Sequence, residues 1–160
     1  MTSLRLLHKA TVPLLTLFIV LPGRPDAQSI KTLVDSQNYV FETQIAQPLR
    51  GPVRHLTTDN YTVRITRDKI VSDLPYFGRA YVAPIDPDKS ALRFTLNTFD
   101  YKVTPGKKEG WTVLIKPKDK TDIQEIQFNI SSAGYTSLQV ISSNRDAISF
   151  DGIITAPVKP

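Results

Sequence analysis

The chain reads as an all-β protein with one short N-terminal helix, its strands running as an antiparallel meander that closes into a small β-barrel. Two observations predict this. From Tyr39 onward, apolar and polar residues alternate with a period of two in segment after segment. These segments, about nine of them, are joined by connections of roughly two to eight residues, with no second helical pattern between them. A sandwich satisfies the same pattern, but closure into a barrel removes the sheet edges that successive hairpins leave open.

The N-terminus reads as a targeting segment. Arg5 and Lys9 precede an apolar run from Val12 to Leu21, and a more polar stretch ends at Pro25-Asp26-Ala27. This is the layout of a secretory signal peptide, residues 1–27, removed after Ala27. The apolar run is too short to cross a bilayer, which takes about 20 residues, so nothing spans the membrane once the signal is gone. Residues 28–160 then form one domain, long enough to bury a core without covalent help. The chain has no cysteine, hence neither a lipidated N-terminal cysteine nor a disulfide. An exported, soluble protein of the periplasm or exterior is expected. Losing Arg5, Lys9, Arg24 and Asp26 leaves 17 Lys and Arg against 14 Asp and Glu, a net charge of +3. That mild excess, with no arginine-rich run or basic helix stripe, excludes nucleic acid as a partner.

Taken in order, Gln28 to Ser36 is the helix candidate, with Ser29 as cap and Ile30, Leu33 and Val34 on one face. It is short and must dock on something larger, such as the open end of a sheet. In the first strand Tyr39, Phe41, Thr43 and Ile45 face one way, against Val40, Glu42, Gln44 and Ala46. Pro48 to Asn60 is a loop broken at Gly51-Pro52. Tyr61, Val63 and Ile65 mark the next strand, and Arg67-Asp68 turns it into Lys69 to Leu74. Tyr76 to Val82 is read as a strand, and Ala83 to Ser90 as a Pro-rich loop. Leu92, Phe94 and Leu96, then Phe99, Tyr101 and Val103, alternate with polar partners. The hairpin loop Pro105 to Gly110 leads to Trp111, Val113 and Ile115. Ile126, Phe128 and Ile130 follow, then Tyr135 to Ser142 and a last strand from Ile148 to Ile154. The tail from Pro157 is expected to be loose.

These stretches carry a resemblance. LPYFGRAYVAPID (Leu74 to Asp86), FDYKVTPGKKEGW (Phe99 to Trp111), IKPKD (Ile115 to Asp119) and GYTSLQVISSNRDAISFDG (Gly134 to Gly152) resemble a family of exported bacterial proteins, domain of unknown function 4251. The likeness runs from about Leu33 to Gly152. It implies an exported protein with a lipocalin-like barrel, and no catalytic residues come with it. Many members carry a lipoprotein cysteine at the end of the signal, and this chain departs from them there.

Enzyme chemistry finds little footing, and a non-enzymatic protein is expected. With the signal removed, His55 is the only histidine, and it sits in a loop without a nucleophile elbow. Zinc needs several His or Cys ligands, so no metal site is expected. Asp86 and Asp88 lie in a turn where aspartate is a usual turn former, and they lack the fuller acidic loop of a calcium site. Phosphate loops and dinucleotide fingerprints are absent, so no cofactor is expected.

Two groups of residues stand out. Tyr76, Phe77, Arg79, Tyr81, Tyr101 and Trp111 are read as lining a pocket, with Arg79 gripping the head of a small amphipathic or lipid-like ligand. Lys107, Lys108, Lys116 and Lys118 are read as a basic surface for an envelope or protein partner, the alternative being a solvated rim. The leading expectation is a binding protein. The alternatives are an accessory protein with a filled core and, behind it, a hydrolase using Asp or Glu.

Overall fold

The computed structural model describes residues 27–56, 60–81, 92–107 and 109–157. The expected signal, up to Asp26, and the turn with Asp86 and Asp88 lie outside these residues, as do Val82, Lys108 and the last three residues. Among the described residues no helix is long and apolar enough to cross a membrane.

The helical stripe forms α1, Ala27–Ser36, beginning one residue earlier than the sequence pattern suggests. Ten residues cannot hold a helix in water, so its stability comes from docking. Ile30 and Val34 are fully buried in the main apolar cluster. The C-terminus closes in a Schellman turn: Asn38 N–H donates to the Leu33 carbonyl at 3.3 Å and Gln37 N–H to that of Val34 at 3.2 Å. That turn needs a left-handed residue, and Gln37 fills the place at φ 52°, where glycine is usual.

Ten strands follow among the described residues: β1 (Tyr39–Pro48), β2 (Arg54–His55), β3 (Thr62–Ile65), β4 (Ile70–Leu74), β5 (Leu92–Leu96), β6 (Phe99–Pro105), β7 (Trp111–Pro117), β8 (Ile123–Ile130), β9 (Tyr135–Ser142) and β10 (Ile148–Thr155). They form one antiparallel sheet in the order β5-β4-β3-β1-β10-β9-β8-β7-β6, with the short β2 paired to β1. The expected meander is present and nearly closed into a barrel. Every neighbour in that path of nine is antiparallel, so the two end strands, β5 and β6, run in the same direction. Only Asn97 and Thr98 separate them, which makes them successive segments of one run with a step between. The Asp119 carboxylate caps that step, accepting from the N–H groups of Asn97 (2.6 Å) and Thr98 (3.1 Å).

The first and last strands join the two halves. β1 pairs with β10 from Val40↔Thr155 to Pro48↔Ile148, and with β3 on its other side. A bulge between Thr43 and Ile45 shifts the register, so the inward face passes from Tyr39, Phe41 and Thr43 to Ala46. The uninterrupted alternation read from the sequence, which put Ile45 on the face of Tyr39 and Phe41 and Ala46 on the other, therefore fails in the second half of this strand. Gly152 sits across the bulge, and a Cβ there would overlap the Glu42 carbonyl and lie 2.9 Å from Thr43 Cα. The missing side chain lets the two backbones close.

Inward residues fill the barrel. Tyr39, Phe41, Phe128 and Phe150 are fully buried, as are Ile65, Ile70, Leu74, Leu96 and Ile115. The Phe128 ring meets Tyr39 edge-on at 6.2 Å and Phe41 at 5.9 Å between centroids. A water-sized void would expose the side chains around it, and these expose none.

The predicted strand from Tyr76 is a loop instead. The Tyr76 hydroxyl lies between the carbonyls of Arg79 (2.8 Å) and Asp146 (3.0 Å), which curls the chain around its own side chain. Gly78 makes room, since a Cβ there would strike the Tyr76 ring. Among its described residues only Ala80 forms a bridge, to Arg145 in the β9–β10 turn, flanked by Tyr81 N–H to Asn144 O (2.8 Å) and Asp146 N–H to Arg79 O (2.9 Å). Local side-chain bonds thus replace the ladder that alternation suggests.

Two substitutions test this account by urea denaturation. Gly152→Ala is expected to lower stability by about 3 kcal/mol, because neither backbone at the bulge can retreat. Gln37→Gly is expected to raise it by about 0.5–1 kcal/mol, since a left-handed conformation costs a side-chain-bearing residue more.

Candidate functional site

The aromatic residues singled out from the sequence divide among three places. Tyr76, Phe77, Arg79 and Tyr81 lie in the loop latched to the β9–β10 turn. Tyr101 lies beneath α1, its hydroxyl donating to the Val34 carbonyl at 3.0 Å and meeting the Tyr39 hydroxyl at 3.2 Å. Trp111 opens β7, opposite Pro105 and Ile130, at the end of the barrel away from the latched loop. Among the described residues no one pocket gathers all six.

At the latch, the buried Asp146 carboxylate accepts from the Tyr81 hydroxyl, and its other oxygen finds no hydrogen-bond partner among the described residues. That bond holds the Tyr81 phenol above its ordinary value, with desolvation and the Asp146 charge adding to it and Arg50 and Arg79 opposing it. The Arg145 guanidinium covers the Tyr76 ring at 5.1 Å and bonds the Asp122 carboxylate at 3.1 Å. Arg79 itself is exposed.

The lysines divide likewise. Lys107 stands in the β6–β7 turn, and Lys108 lies outside the described residues. Lys116 and Lys118 sit at the far end of β7, facing Glu125 at 3.9 Å and Asp100 at 2.5 Å. Most of the length of β7 therefore separates Lys107 from the other two, and both of those meet carboxylates. The basic surface read from the sequence is not continuous. His55 lies exposed in β2, and no cluster of metal-ligating side chains occurs among the described residues.

Sequence reasoning missed a recess on the outer face of the sheet. It spans about 1030 Å³ across β7 to β10 and β1, and its lining includes Trp111 and Lys107, one from each predicted group. Outward positions supply its floor: Thr112 of β7, Gln127 and Asn129 of β8, Ser137 of β9, Asp151 of β10 and Gln44 of β1. Thr112 Oγ1 (3.1 Å) and Gln127 Nε2 (3.3 Å) both donate to Asn129 Oδ1, which fixes the amide with its nitrogen as a donor. Gln47 Nε2 bonds the Asp151 carboxylate nearby. Tyr135, 67% exposed, also lines the recess. Lys107 and Asp151 are its only charged lining residues among those described. The volume stands at the upper limit of small-molecule sites, about 300–1,000 Å³. Chemically it offers amide and hydroxyl groups in a row, with aromatic rings beside them.

Set against known proteins, the family model for domain of unknown function (DUF4251) matches residues 24–154. The crystal structure of a DUF4251 family protein from Bacteroides eggerthii shares the fold, with a TM-score of 0.58 at 12% identity over 81% of this chain and 87% of that chain. No curated protein matches the chain.

The buried tyrosine pair beneath α1 generates a pH prediction. Burial pushes the Tyr101 phenol up to about 12, with the Tyr39 hydroxyl bond opposing and the Asp35 charge adding to the rise. Tyr39 is raised well above its ordinary value too, first by burial and then by Tyr101. Between pH 10 and 12 the unfolded chain gives up a Tyr101 proton that the folded chain keeps. Stability is therefore full below pH 10 and falls as pH rises through 12, by about 2–3 kcal/mol for Tyr101. Urea midpoints measured across this window should show the fall, and Tyr101→Phe should reduce it.

Proposed function

The chain belongs to the domain of unknown function (DUF4251) family, and from that footing we propose that it is an exported, non-enzymatic binding module that holds a small amphipathic ligand on the outside of its barrel. The observation that carries this reading is the recess over β7 to β10, uncharged along most of its floor and bordered by Trp111 and Tyr135. The outer face of a sheet is ordinarily strewn with charges that keep it soluble. Here amides and hydroxyls take their place on β7, β8 and β9, and on β1 through Gln44.

A ligand suited to this floor has many hydroxyl groups and at least one flat apolar face, which describes a neutral saccharide. Its hydroxyls exchange hydrogen bonds with Gln127, Asn129 and Ser137, and a ring face lies on the exposed Tyr135. The filled interior supports the same choice of surface, because tight side-chain packing leaves a ligand no room within the barrel. The positive N-terminus and its apolar run support export. The separation of Lys107 from the paired Lys116 and Lys118 weighs against recognition through a basic hairpin.

The test is an array of neutral oligosaccharides probed with the purified protein, followed by calorimetric titration of the best binder. Tyr135→Ala is expected to weaken binding about tenfold or more, from the loss of ring stacking and buried area. Asn129→Ala should do the same, with the urea midpoint unchanged for both. Binding that ignores both substitutions, or no binding across the array, would remove the saccharide reading.

A further inference from the structure

Five large apolar side chains stand exposed among the described residues, and three of them, Leu49 (65%), Val53 (56%) and Tyr81 (61%), belong to one end of the barrel. Leu49 and Val53 lie on the loop between β1 and β2, at the end of β1 remote from α1. Tyr81 lies on the segment latched to the β9–β10 turn, which is at this same end because Pro48 pairs with Ile148. The two loops touch: the Arg54 guanidinium lies 4.7 Å from the centre of the Phe77 ring. Arg50 and Arg79 are close enough to act electrostatically on the Tyr81 phenol.

Arginine is thus interleaved with each exposed apolar residue. Arg50, Arg54 and Arg79 are all exposed. None of the three meets a carboxylate among the described residues, whereas Arg93 and Arg145 each do. Asp146, the acid beneath this surface, is 5% exposed and already bonded to Tyr81. Exposed apolar side chains on loop tips are unfavourable in water, and three guanidinium groups beside them, none facing a carboxylate among the described residues, concentrate positive charge. Both features are satisfied together by a surface that is apolar below and anionic above.

We propose that this end of the barrel docks on an anionic lipid surface, with Leu49, Val53 and Tyr81 entering the boundary between headgroups and acyl chains and Arg50, Arg54 and Arg79 on the phosphates. Guanidinium groups match phosphate oxygens in pairs, and the Tyr81 ring, its hydroxyl already held by Asp146, adds apolar area at the interfacial layer. Binding of this kind adds buried apolar area to electrostatic attraction, and neither suffices alone. A protein interface presents a broader apolar centre ringed by polar residues, whereas here single apolar tips alternate with charge along two loops. The recess over β7 to β10 plays no part, so the two proposals stand or fall separately.

Co-sedimentation of the purified protein with vesicles tests this. One set is phosphatidylcholine alone, and the other contains phosphatidylglycerol as well. Binding is expected to the anionic set at low salt, to weaken as salt is raised, and to be slight on phosphatidylcholine. Changing Arg50, Arg54 and Arg79 together to Gln should lower partitioning about 100-fold, from about 1 kcal/mol for each basic group. Leu49→Ser with Val53→Ser should weaken binding while leaving its salt dependence in place. Lys107→Gln, at the opposite end, should change neither. All of these positions are exposed, and an unchanged urea midpoint for each variant separates lost binding from lost folding. No binding to anionic vesicles at low salt overturns the proposal, as does binding that survives the triple arginine change. Arginine-dependent capture of polyglutamate without vesicle binding would assign the surface to an acidic protein, and would overturn the lipid reading too.

Discussion

The pairing of β1 with β10 is the constraint on which the rest of the molecule depends. Without it the chain has two incomplete sheets, β1 with β3 to β5 on one side and β6 to β10 on the other. Each alone leaves its apolar face open on one side, and a single sheet face cannot bury itself. With the pairing made, the inward residues of both parts meet, and Phe128 of the second part packs on Tyr39 and Phe41 of β1. The bulge at Thr43 and the bare backbone of Gly152 allow the two strands to approach while one bends around the other. The position of α1 follows as well, for the helix leads straight into β1 and covers the end of the core, where Ile30 lies near Gly134.

A filled barrel moves function to the outside. Two of its surfaces depart from an ordinary solvated exterior, and in opposite ways. Across β7 to β10 the departure is a lack of charge. At the end carrying the β1–β2 loop it is an excess of one sign beside exposed apolar tips. The first surface is rigid, since its side chains project from paired strands. The second is built from loops, one tied down by its bridge to Arg145 and by the Tyr81–Asp146 hydrogen bond. Rigid sheet faces suit a ligand of fixed shape, and loop tips suit a deformable one.

Much of the fold was legible in the sequence because burial on one side of a strand forces a period of two. The pairs Val113 and Ile115, Phe128 and Ile130, and Leu138 and Val140 all turn inward as their alternation requires. The failures share a cause. At Tyr76 to Tyr81 the alternation is present, yet hydroxyl bonds to the carbonyls of Arg79 and Asp146 decide the local path. At Gln44 an extra residue shifts the register, and nothing in the local pattern marks it. Gly152 is the residue that allows the shift, and it is distant in sequence. The outer recess was illegible for a related reason. Thr112, Asn129 and Ser137 are unremarkable one at a time, and only the register of β7, β8 and β9 makes them neighbours. A scan of outward positions for missing charge would have drawn attention to them. The arginines of Pro48 to His55 passed unnoticed because a proline- and glycine-broken stretch reads as a connection.

The bond between first and last strands also sets an order of events. Among the described strands β1 is made first and β10 last, so β1 lacks this partner until β10 has been made. Until then one side of β1 and one side of β9 remain unpaired, as edges able to recruit strands from other chains. A product truncated before Ile148 keeps both edges for good. Incomplete copies of this protein are therefore marked by their own stickiness, while complete ones hide it at the moment their last strand arrives.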